Sequence, residues 1–551
     1  MAWVPAPNAD PALVADLAAE AGLSPVVAGI LARRLGGDDP RLWLRPEEAP
    51  LCDPFAFDGM EAAVERLLRA VVHREPITVF GDYDVDGITA TTTLVQALAR
   101  VGARVKPFFP DREAEGYGLT PGSVARCLTY APTPTVLVTV DCGITSHDEV
   151  ADLRARGIDV VVTDHHTPPP TLPPANAIVN PRLSAPPGAE SLCGCAVALM
   201  LVRALAQRGL DIDPEAFLDL AAVATIADVM PLTGQNRVLV ARGLRALATP
   251  AANRGLRALA LRQRLRLPCT AEGVAFSLVP CINAAGRLGE LKTAYAAIGL
   301  GHDRCAEQLI EINKRRRAIE HDLLDRILAE APAPTGNLLV VGGEDFHAGV
   351  LGIVAARLME RVGLPVALVC RTPDGGGHGS MRACGRWNAV EALTTVADLL
   401  DHFGGHAQAA GFSLRPGAYE AFAERLPRAF VGTPETPDRV YDADLTHLPV
   451  TLALCRELER LEPYGHGNPK PVFRKDFALA AARPVGADKS HLQLSLAPVE
   501  GGPALKAIWF GAAARAQGWR PGLPLRAWFT LAVDTFREPV PSLTLLDAEP
   551  L

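Results

Sequence analysis

Between about Phe55 and Leu232, short apolar strands alternate with helix-length segments, and this alternation constrains the fold more than any other feature. The predicted strands are 77–80, 105–109, 135–140, 159–163 and 177–179, and the predicted helices are 59–73, 87–101, 121–128, 147–156 and 195–208. The strands are apolar almost throughout, which is typical of strands that are buried on both faces. The pattern therefore predicts a parallel sheet with helices on both sides.

Ionisable side chains follow three of these strands at the point where each strand ends. The residues concerned are Asp82, Asp84, Asp86, Asp141, Asp164, His165 and His166. Asp228 ends a later apolar run and adds a further carboxylate. Because the carboxyl ends of parallel strands lie along one edge of a sheet, where ligands bind, we expect these side chains to form one cluster.

Carboxylates packed this closely repel one another unless a cation lies among them. Oxygen and imidazole ligands together suit Mn²⁺ or Mg²⁺. About five carboxylates and one or two histidines suffice for two ions that share a bridging Asp, and such a pair can hydrolyse a phosphoester. The alternative interpretation of Asp82, Asp84 and Asp86 is an acidic turn between strand and helix, where Asp is common.

The composition limits the remaining possibilities. A chain of 551 residues predicts three or four domains. We expect no membrane-spanning helix, because no apolar run reaches the ~18 residues required. The N-terminus is acidic where a signal peptide would be basic, and the 11 cysteines form no Cys-x-x-Cys pair, so we expect reduced thiols in a cytoplasmic protein. The net charge of −8 disfavours a surface that binds nucleic acid everywhere but permits a local basic channel.

Three further regions lie outside the predicted sheet. Residues 1–50 contain short helical patterns between prolines and form an N-terminal appendage. Residues 303–331 predict a connector helix with a narrow apolar stripe, and their KRRR cluster (314–317) either faces nucleic acid or, as we favour, is a solvated helix face. Strand-like segments that flank helices predict a second, smaller α/β domain at 336–430.

From about Pro437, five short strands predict a small barrel of the OB type. Such barrels bind single strands by stacking bases on aromatic side chains along a basic groove. Lys506, Trp509, Phe510 and Trp528 are candidates for these contacts, although aromatic residues of a small barrel more often belong to its core.

Several motifs resemble those of a known superfamily. GDYDVDG (81–87), VTVDCG (138–143), TDHH (163–166) and ATIADVMPL (224–232) look like the DHH phosphoesterases. Within that superfamily, the chain resembles the bacterial RecJ family of single-strand-specific exonucleases over roughly residues 50–535. The motifs that carry this closer resemblance are SLCGCAVALMLVRAL, PCINAAGRLG, FHAGVLGIVAARL, GHGSMRA, FGGHAQAAG and LEPYGHGNPKPVF.

The resemblance implies roles for individual residues. It implies metal ligation by Asp82, Asp84, Asp86, Asp141, His165 and Asp228, with Asp141 as the bridge and with catalytic roles for Asp141, His165 and His166. His166 either contacts the scissile phosphate or donates a proton to the leaving oxygen, or else it orients a neighbouring ligand. The implied substrate or phosphate contacts are Arg112, Asn283, Arg287, Ser380, Arg382 and His406.

The resemblance also implies the fold and the activity. The expected fold class is α/β, with a DHH metal-binding domain (51–232), a helical region with the connector helix (233–335), a DHH-associated domain (336–430) and an OB-like barrel (437–551). We expect a 5′ to 3′ exonuclease of single-stranded DNA that releases 5′-mononucleotides by a two-metal mechanism with Mn²⁺ or Mg²⁺, in DNA repair and recombination. A cleft between the two α/β domains would admit one strand and exclude a duplex.

The family further suggests a single-strand-binding protein and a RecQ-type helicase as partners, with no membrane contact and a monomeric state. Two other functions remain open: a phosphoesterase of small substrates, which the barrel disfavours, and a non-enzymatic scaffold, which the complete ligand set disfavours. Cys281, Ala383 and Ala196 depart from the family pattern and leave substrate preference open. We expect no counterpart of the extra C-terminal domain of longer relatives.

Overall fold

A computed structural model of the chain describes residues 2–111, 115–116, 118–330, 332–432, 438–536 and 538–551. These residues form two compact units. The large unit comprises Ala2–Val279, Tyr295–Ala306 and Arg439–Leu551, and the small unit comprises Pro280–Ala294 and Glu307–Asp438.

The N-terminal segment consists of one short strand and three helices. They are β1 (Trp3–Pro5), α1 (Pro11–Ala21), α2 (Pro25–Arg34) and α3 (Pro40–Leu44). Each helix begins with Pro at its first position, after an Asp or Ser side chain that accepts a backbone N–H, a combination that favours helix initiation. Within the described residues no single helix is long and apolar enough to cross a membrane, and only α1 and α2 together, bent by 115°, pass on length and composition.

The predicted parallel sheet is present in the large unit. Its elements are α4 (Met60–Val72), β2 (Ile77–Phe80), α5 (Val85–Arg100), β3 (Val105–Phe108), α6 (Pro121–Thr129), β4 (Val136–Val140), α7 (His147–Ala155), β5 (Asp159–Thr163), β6 (Ala177–Val179), α8 (Gly194–Gln207) and α9 (Leu218–Ala227). The strand order is β3-β2-β4-β5-β6, and every pair is parallel. Since β2, β4 and β5 are neighbours, the three strand ends that carry ionisable residues meet at one edge.

Six helices follow the sheet. They are α10 (Gly234–Leu247), α11 (Arg254–Arg262), α12 (Ala271–Ser277), α13 (Val279–Arg287), α14 (Leu291–Ile298) and α15 (Asp303–Glu330). α15 is the predicted connector helix, and Ile312, Leu323 and Ile327 of its apolar stripe are buried. An amphipathic pattern of this kind places one face of a long helix against a core.

The KRRR cluster of α15 is only partly the solvated face that the sequence favours. Lys314 and Arg315 are exposed and form ion pairs with acidic side chains of the small unit. Arg316 is buried, and its Nη1 lies 3.1 Å from Oε2 of the fully buried Glu320. The interpretation is therefore wrong for Arg316. Its guanidinium neutralises the buried carboxylate of Glu320, because a buried charge requires a partner.

The small unit contains the second sheet. Its elements are β7 (Leu339–Gly343), α16 (Leu351–Val362), β8 (Val366–Arg371), β9 (Gly377–Arg382), α17 (Ala389–Thr394), β10 (Leu400–His406), β11 (Ala409–Leu414) and α18 (Tyr419–Arg425). The strand order is β10-β11-β9-β8-β7. Met381, Ala410 and Phe412 face a buried core, so the residues that alternate with them lie on the opposite face. This face includes the polar side chains of Ser380, Arg382 and His406, and we call it the polar face.

The C-terminal part of the large unit is the predicted barrel. Its elements are β12 (Arg439–Tyr441), β13 (Ala443–Asp444), α19 (Leu452–Glu459), β14 (Phe473–Val485), β15 (His491–Pro498), β16 (Leu505–Trp509), β17 (Pro524–Asp534) and β18 (Val540–Pro550). The order is β13-β14-β15-β16-β18-β17, and β14 also pairs with β17, which closes the five long strands into a barrel.

The N-terminal segment shares its core with this barrel. β1 pairs in parallel with β12, and buried Leu31 and Trp43 belong to the same hydrophobic cluster as Phe473 and Phe529 of the barrel. Burial of this apolar surface on both sides stabilises the two segments together. Residues 1–50, which the sequence describes only as an appendage, thus complete the packing of the C-terminal domain.

Candidate metal centre

The turn from β2 into α5 carries the first three carboxylates. Asp84 caps α5, since its Oδ1 accepts a hydrogen bond of 2.9 Å from the Gly87 backbone N–H. Asp86 lies in the first helical turn, where the helix dipole favours a negative charge. Gly87 makes the tight turn possible, because a Cβ there would lie 2.5 Å from the backbone oxygen of Asp82.

A second helix N-terminus fixes Asp86. The backbone N–H groups of Gly194 and Cys195, at the start of α8, donate hydrogen bonds of 2.6 and 2.7 Å to its two carboxylate oxygens. A side chain at Gly194 is excluded, because its Cβ would lie 2.6 Å from Cβ of Asp141. The glycine therefore allows α8 to approach two predicted ligands at once.

Asp141 follows β4 in a strained backbone conformation. Its φ of +61° is uncommon for a residue other than glycine. The carboxylate is buried, and its Oδ1 lies 3.1 Å from Nε2 of His165. Strain of this kind often occurs at functional sites, where the surrounding structure holds one side chain in a required direction.

His165 lies at the centre of the cluster. Its Nε2 is 3.8 Å from Oδ2 of Asp86, 3.1 Å from Oδ1 of Asp141 and 3.6 Å from Oδ2 of Asp228. These carboxylates come from α5, the end of β4 and the end of α9. The backbone oxygen of His165 accepts a hydrogen bond of 2.8 Å from Nε of Arg182, a neighbour that the sequence did not indicate.

The predicted ligands form three overlapping groups. They are Asp82, Asp84 and Asp141; Asp86, His165 and Asp228; and Asp141, His165 and His166, and in each group the ligand atoms lie within 4.8 Å of one another. Asp141 belongs to two of the groups. The structure therefore brings all of the sequence-predicted metal ligands into one cluster.

The electrostatics of this cluster fit a divalent cation. Burial, followed by the nearby charge of Asp86, raises the pKa of Asp141 well above its usual value, and burial raises the pKa of Asp228 to about 8. Oδ2 of Asp228 is buried and has no hydrogen-bond donor among the described residues. A hard cation would satisfy this oxygen and remove the repulsion, and oxygen and imidazole donors suit Mn²⁺ or Mg²⁺.

The buried carboxylate of Asp164 forms a hydrogen bond with the ring of His166. Its Oδ1 accepts a hydrogen bond of 2.7 Å from Nδ1 of His166, and its Oδ2 accepts one of 2.9 Å from the Ile144 backbone N–H. Burial opposes the charged ring, but the bond to Asp164 prevails and raises the pKa of His166 to about 9. No separate role for Asp164 was predicted, although its position at a strand end was a signal in the sequence.

Three predicted phosphate contacts share the polar face of the second sheet. Ser380 is in register with Gly411 and Gly404, and Arg382 with Ala409 and His406, across β9, β11 and β10. Residues in register lie on the same side of a sheet. Nη1 of Arg382 donates a hydrogen bond of 2.8 Å to Oγ of Ser380, so the two side chains form one donor group.

Arg287 and the start of α16 lie close to one another. Nη1 of Arg287 donates a hydrogen bond of 3.2 Å to the Gly349 backbone oxygen. A Cβ at Gly352 would lie 2.4 Å from Nη2 of Arg382, so this glycine leaves room for that guanidinium. Asn283 lies one helical turn before Arg287 on α13. Arg112 lies outside the described residues.

The barrel candidates separate into two kinds. Trp509 and Trp528 are buried, and Trp528 stacks on Trp3 with ring centroids 5.5 Å apart, so they are core residues and not base contacts. Phe510 is 62% exposed, and Lys506 is exposed as well. Only the latter two remain candidates for strand binding.

Family models match three parts of the chain. The DHH family N-terminal domain matches residues 76–225, the DHHA1 domain matches 335–432, and the RecJ OB domain matches 441–542. The single-stranded-DNA-specific exonuclease RecJ of Thermus thermophilus is 40% identical over 471 residues, which cover 84% of this chain and 67% of that protein. The chain belongs to the RecJ family.

Solved RecJ structures agree with this assignment. The structure of Thermus thermophilus RecJ in complex with Mn²⁺ superposes with a TM-score of 0.84 at 33% identity and covers 100% of this chain and 79% of that one. The complex with Mg²⁺ gives a TM-score of 0.78 at 31% identity, with 100% and 78% coverage. The predicted fold class, the hydrolytic exonuclease class and the Mn²⁺ or Mg²⁺ cofactor are thereby confirmed; the predicted domain boundaries stay predictions.

Proposed function

We propose that the chain hydrolyses single-stranded DNA from the 5′ end to 5′-mononucleotides, with two divalent cations bound by the cluster around His165, in DNA repair and recombination. The observation that carries the proposal is that Asp86, Asp141 and Asp228, from three separate elements, lie within 3.8 Å of one imidazole nitrogen in a RecJ-family fold. Asp82 and Asp84 join the same cluster through Asp141. The 5′ polarity, the mononucleotide product, the biological role and the monomeric state come from the family resemblance. The cytoplasmic location rests on the acidic N-terminus and on the cysteine pattern.

In this proposal, the cations are held by Asp82, Asp84, Asp86, Asp141, His165 and Asp228. Asp141 is the shared ligand, because it belongs to two ligand groups and its carboxylate has two oxygens that can each bind a cation. When bound, such cations supply an activated water and stabilise the charge on the leaving oxygen. The chain's own contribution is rigid placement, because helix N-termini, strained backbone and glycine contacts fix the carboxylates before substrate binds.

His166 is the proposed contact to the leaving group. Its Nδ1 forms a hydrogen bond of 2.7 Å with Oδ1 of Asp164, and this bond fixes the orientation of the imidazole ring. The side chain is 40% exposed, whereas that of His165 is 7% exposed, so His166 is the histidine that a strand can reach. An N–H at Nε2 would donate a hydrogen bond to a phosphate oxygen or a proton to the leaving oxygen.

The polar face of the small unit is the proposed phosphate-binding surface. Ser380, Arg382 and His406 are aligned on it, and Gly404 and Gly411 leave the backbone open between them. A guanidinium, a hydroxyl and an imidazole supply several donors for phosphate oxygens. Asn283 and Arg287 are further candidates, and Arg112 keeps the role that the resemblance implies.

Two features support a long strand as the substrate rather than a small phosphoester. The barrel belongs to a fold that carries single strands, and its exposed Phe510 and Lys506 supply a stacking surface and a charge. The complete ligand set also disfavours a scaffold without activity. A single-strand-binding protein and a RecQ-type helicase remain family-based expectations for partners.

The test is digestion of a single strand labelled at its 5′ or its 3′ end, with Mn²⁺ or Mg²⁺ and with a duplex of the same sequence as the control. We expect the 5′ label to appear first as a mononucleotide and the duplex to resist. Early release of the 3′ label, or equal digestion of the duplex, would contradict the proposal. A variant that ends near Phe430 and still digests long strands would favour the small-substrate alternative.

A further inference from the structure

A groove of about 320 Å³ lies in the large unit directly beside Asp228. Its walls come from three segments: 226–232 at the end of α9, 271–276 in α12, and the loop 464–470 that precedes β14. The volume is within the range of about 300–1,000 Å³ that is common for small-molecule sites. None of the roles proposed above uses this groove.

Two large apolar side chains on the rim of the groove are exposed to solvent. Phe276 is 72% exposed, and Val229 is 64% exposed. A single exposed apolar residue is ordinary, but two that line one concave surface indicate a binding site. The aromatic ring is the larger of the two and offers a planar face.

The backbone at Val229 is strained. Its φ is +54°, a conformation that β-branched residues rarely adopt. Because Val229 directly follows Asp228, this strain fixes an apolar side chain next to a proposed metal ligand. A glycine or asparagine would adopt the same backbone more easily, so a packing requirement alone does not account for valine at this exposed position.

The opposite wall of the groove is preformed. The Leu232 backbone N–H donates a hydrogen bond of 2.7 Å to the backbone oxygen of His466, and the Tyr464 hydroxyl donates one of 2.5 Å to the Leu458 backbone oxygen. A Cβ at Gly465 would lie 2.7 Å from Cδ1 of Leu232, so the loop packs closely against the segment after α9. The groove therefore exists before any ligand binds.

The charges at the rim of the groove indicate whether the base or the phosphate of a nucleotide would bind there. Nζ of Lys470 forms an ion pair with the carboxylate of Glu272, so this positive charge already has a partner. The rest of the lining is mainly apolar or aromatic. Such a surface suits the flat face of a base rather than a phosphate, since stacking on an aromatic ring does not depend on base identity.

We propose that this groove binds a nucleobase of the DNA strand whose phosphodiester lies at the metal centre, with the base against the ring of Phe276 and the side chain of Val229. The inference rests on the proposed function, because it needs a strand at the Asp228 side of the cluster. It adds a base-binding subsite that acts on any sequence and that retains the strand between successive cleavages.

The experiment measures binding of a 3′-fluorescein oligo(dT) by fluorescence anisotropy in EDTA, which prevents cleavage. The proteins are the wild type, Phe276→Ala, Phe276→Trp, Val229→Asn and, as a matched control, Leu261→Ala, which removes another exposed apolar side chain (57%) outside the groove. A second probe of equal length carries abasic sites in place of its bases. Thermal unfolding of each variant is recorded in parallel.

We expect Phe276→Ala to weaken oligo(dT) binding by about 5- to 150-fold, the range for one stacked base, with Phe276→Trp restoring it. Val229→Asn should weaken binding while its Tm stays equal or rises, which a merely structural role would not produce. Leu261→Ala should bind as the wild type does, and the abasic probe should not distinguish the variants.

The inference would be overturned if Phe276→Ala bound oligo(dT) as tightly as the wild type, or if it lost as much affinity for the abasic probe as for oligo(dT). In either case the proposed function would stand if the wild type digests the strand with Mn²⁺. Absence of both binding and digestion in the wild type would instead contradict the proposed function, and the inference with it.

Discussion

Nδ1 of His166 lies 2.7 Å from Oδ1 of Asp164, and this bond fixes the orientation of the partly exposed histidine of the cluster. The same carboxylate accepts the backbone N–H groups of His165 and Ile144. Asp164 therefore positions the side chain of His166 and the backbone of His165, although it is not among the proposed metal ligands.

Replacement of Asp164 by Asn should lower kcat for single-strand digestion by about 10- to 100-fold, the usual effect of removing an orienting carboxylate beside a metal site. An amide keeps one acceptor oxygen but presents N–H groups to the other donors, so it cannot serve all of them. Asp148→Asn is the control, since the Asp148 side chain is 96% exposed. Unchanged kcat in Asp164→Asn would show that the orientation of His166 does not matter.

Gly352→Ala should raise KM for the strand without loss of stability. The added Cβ would lie 2.4 Å from Nη2 of Arg382, a flexible side-chain end that can move away, and alanine is favoured over glycine within a helix. Gly29→Ala in α2 is the matched control, because its Cβ would meet only an arginine nitrogen at 3.9 Å. A KM equal to that of the wild type would argue against Arg382 as a substrate contact.

Arg237→Met should destabilise the large unit by about 3–5 kcal/mol. The fully buried guanidinium donates to the backbone oxygens of Trp43, Leu461, Glu462 and Pro463. Asn468 also donates to the oxygens of Leu461 and Pro463, so the variant removes the donor of the other two, at a cost of about 1–3 kcal/mol each. Urea unfolding measures the change. Arg245→Met on the same helix, where the side chain is 65% exposed, should shift stability by less than about 0.5 kcal/mol.

Asp219 should make stability depend on pH. Burial raises its pKa to about 6 from the ordinary 3.8, so the unfolded chain releases this proton at lower pH than the folded chain. As pH rises from about 4 to 6, unfolding becomes more favourable by about 3 kcal/mol from this group, and above pH 6 the contribution is constant.

Urea unfolding of the wild type and Asp219→Asn across this pH range tests the prediction. The difference in unfolding free energy between the two proteins should change in favour of the variant as pH rises, because the amide does not titrate. A difference in unfolding free energy that is independent of pH would contradict the raised pKa of the buried Asp219 carboxyl group.

The sequence predicted the parallel sheet well, because each of its strands is a continuous apolar run between polar loops. The cluster was predictable for the same reason: the carboxyl ends of parallel strands, such as those before Asp141 and Asp164, share one edge of the sheet. The register of the second sheet, which aligns Arg382 with His406 through Ala409, depends on strand pairing that no local pattern encodes.

Other features were not accessible from local patterns. The parallel pairing of Trp3 with Arg439 joins residues more than 400 positions apart, and the N-terminal segment packs in the barrel core. Trp528 and Phe510 look alike as aromatic residues of a barrel, yet one is 5% exposed and the other 62%. The positive φ of Val229 has no sequence signature, since a valine at this position suggests only a core residue.

Whether the cluster around His165 is the metal site of a single-strand exonuclease is tested most directly by measuring metal binding and strand digestion on the same proteins. Mn²⁺ binding by calorimetry and digestion of a 5′-labelled single strand are compared for the wild type and Asp141→Asn, with circular dichroism as the check on folding. We predict that the folded variant loses Mn²⁺ affinity and digestion together. A folded variant that binds Mn²⁺ and digests the strand as the wild type does would contradict the account.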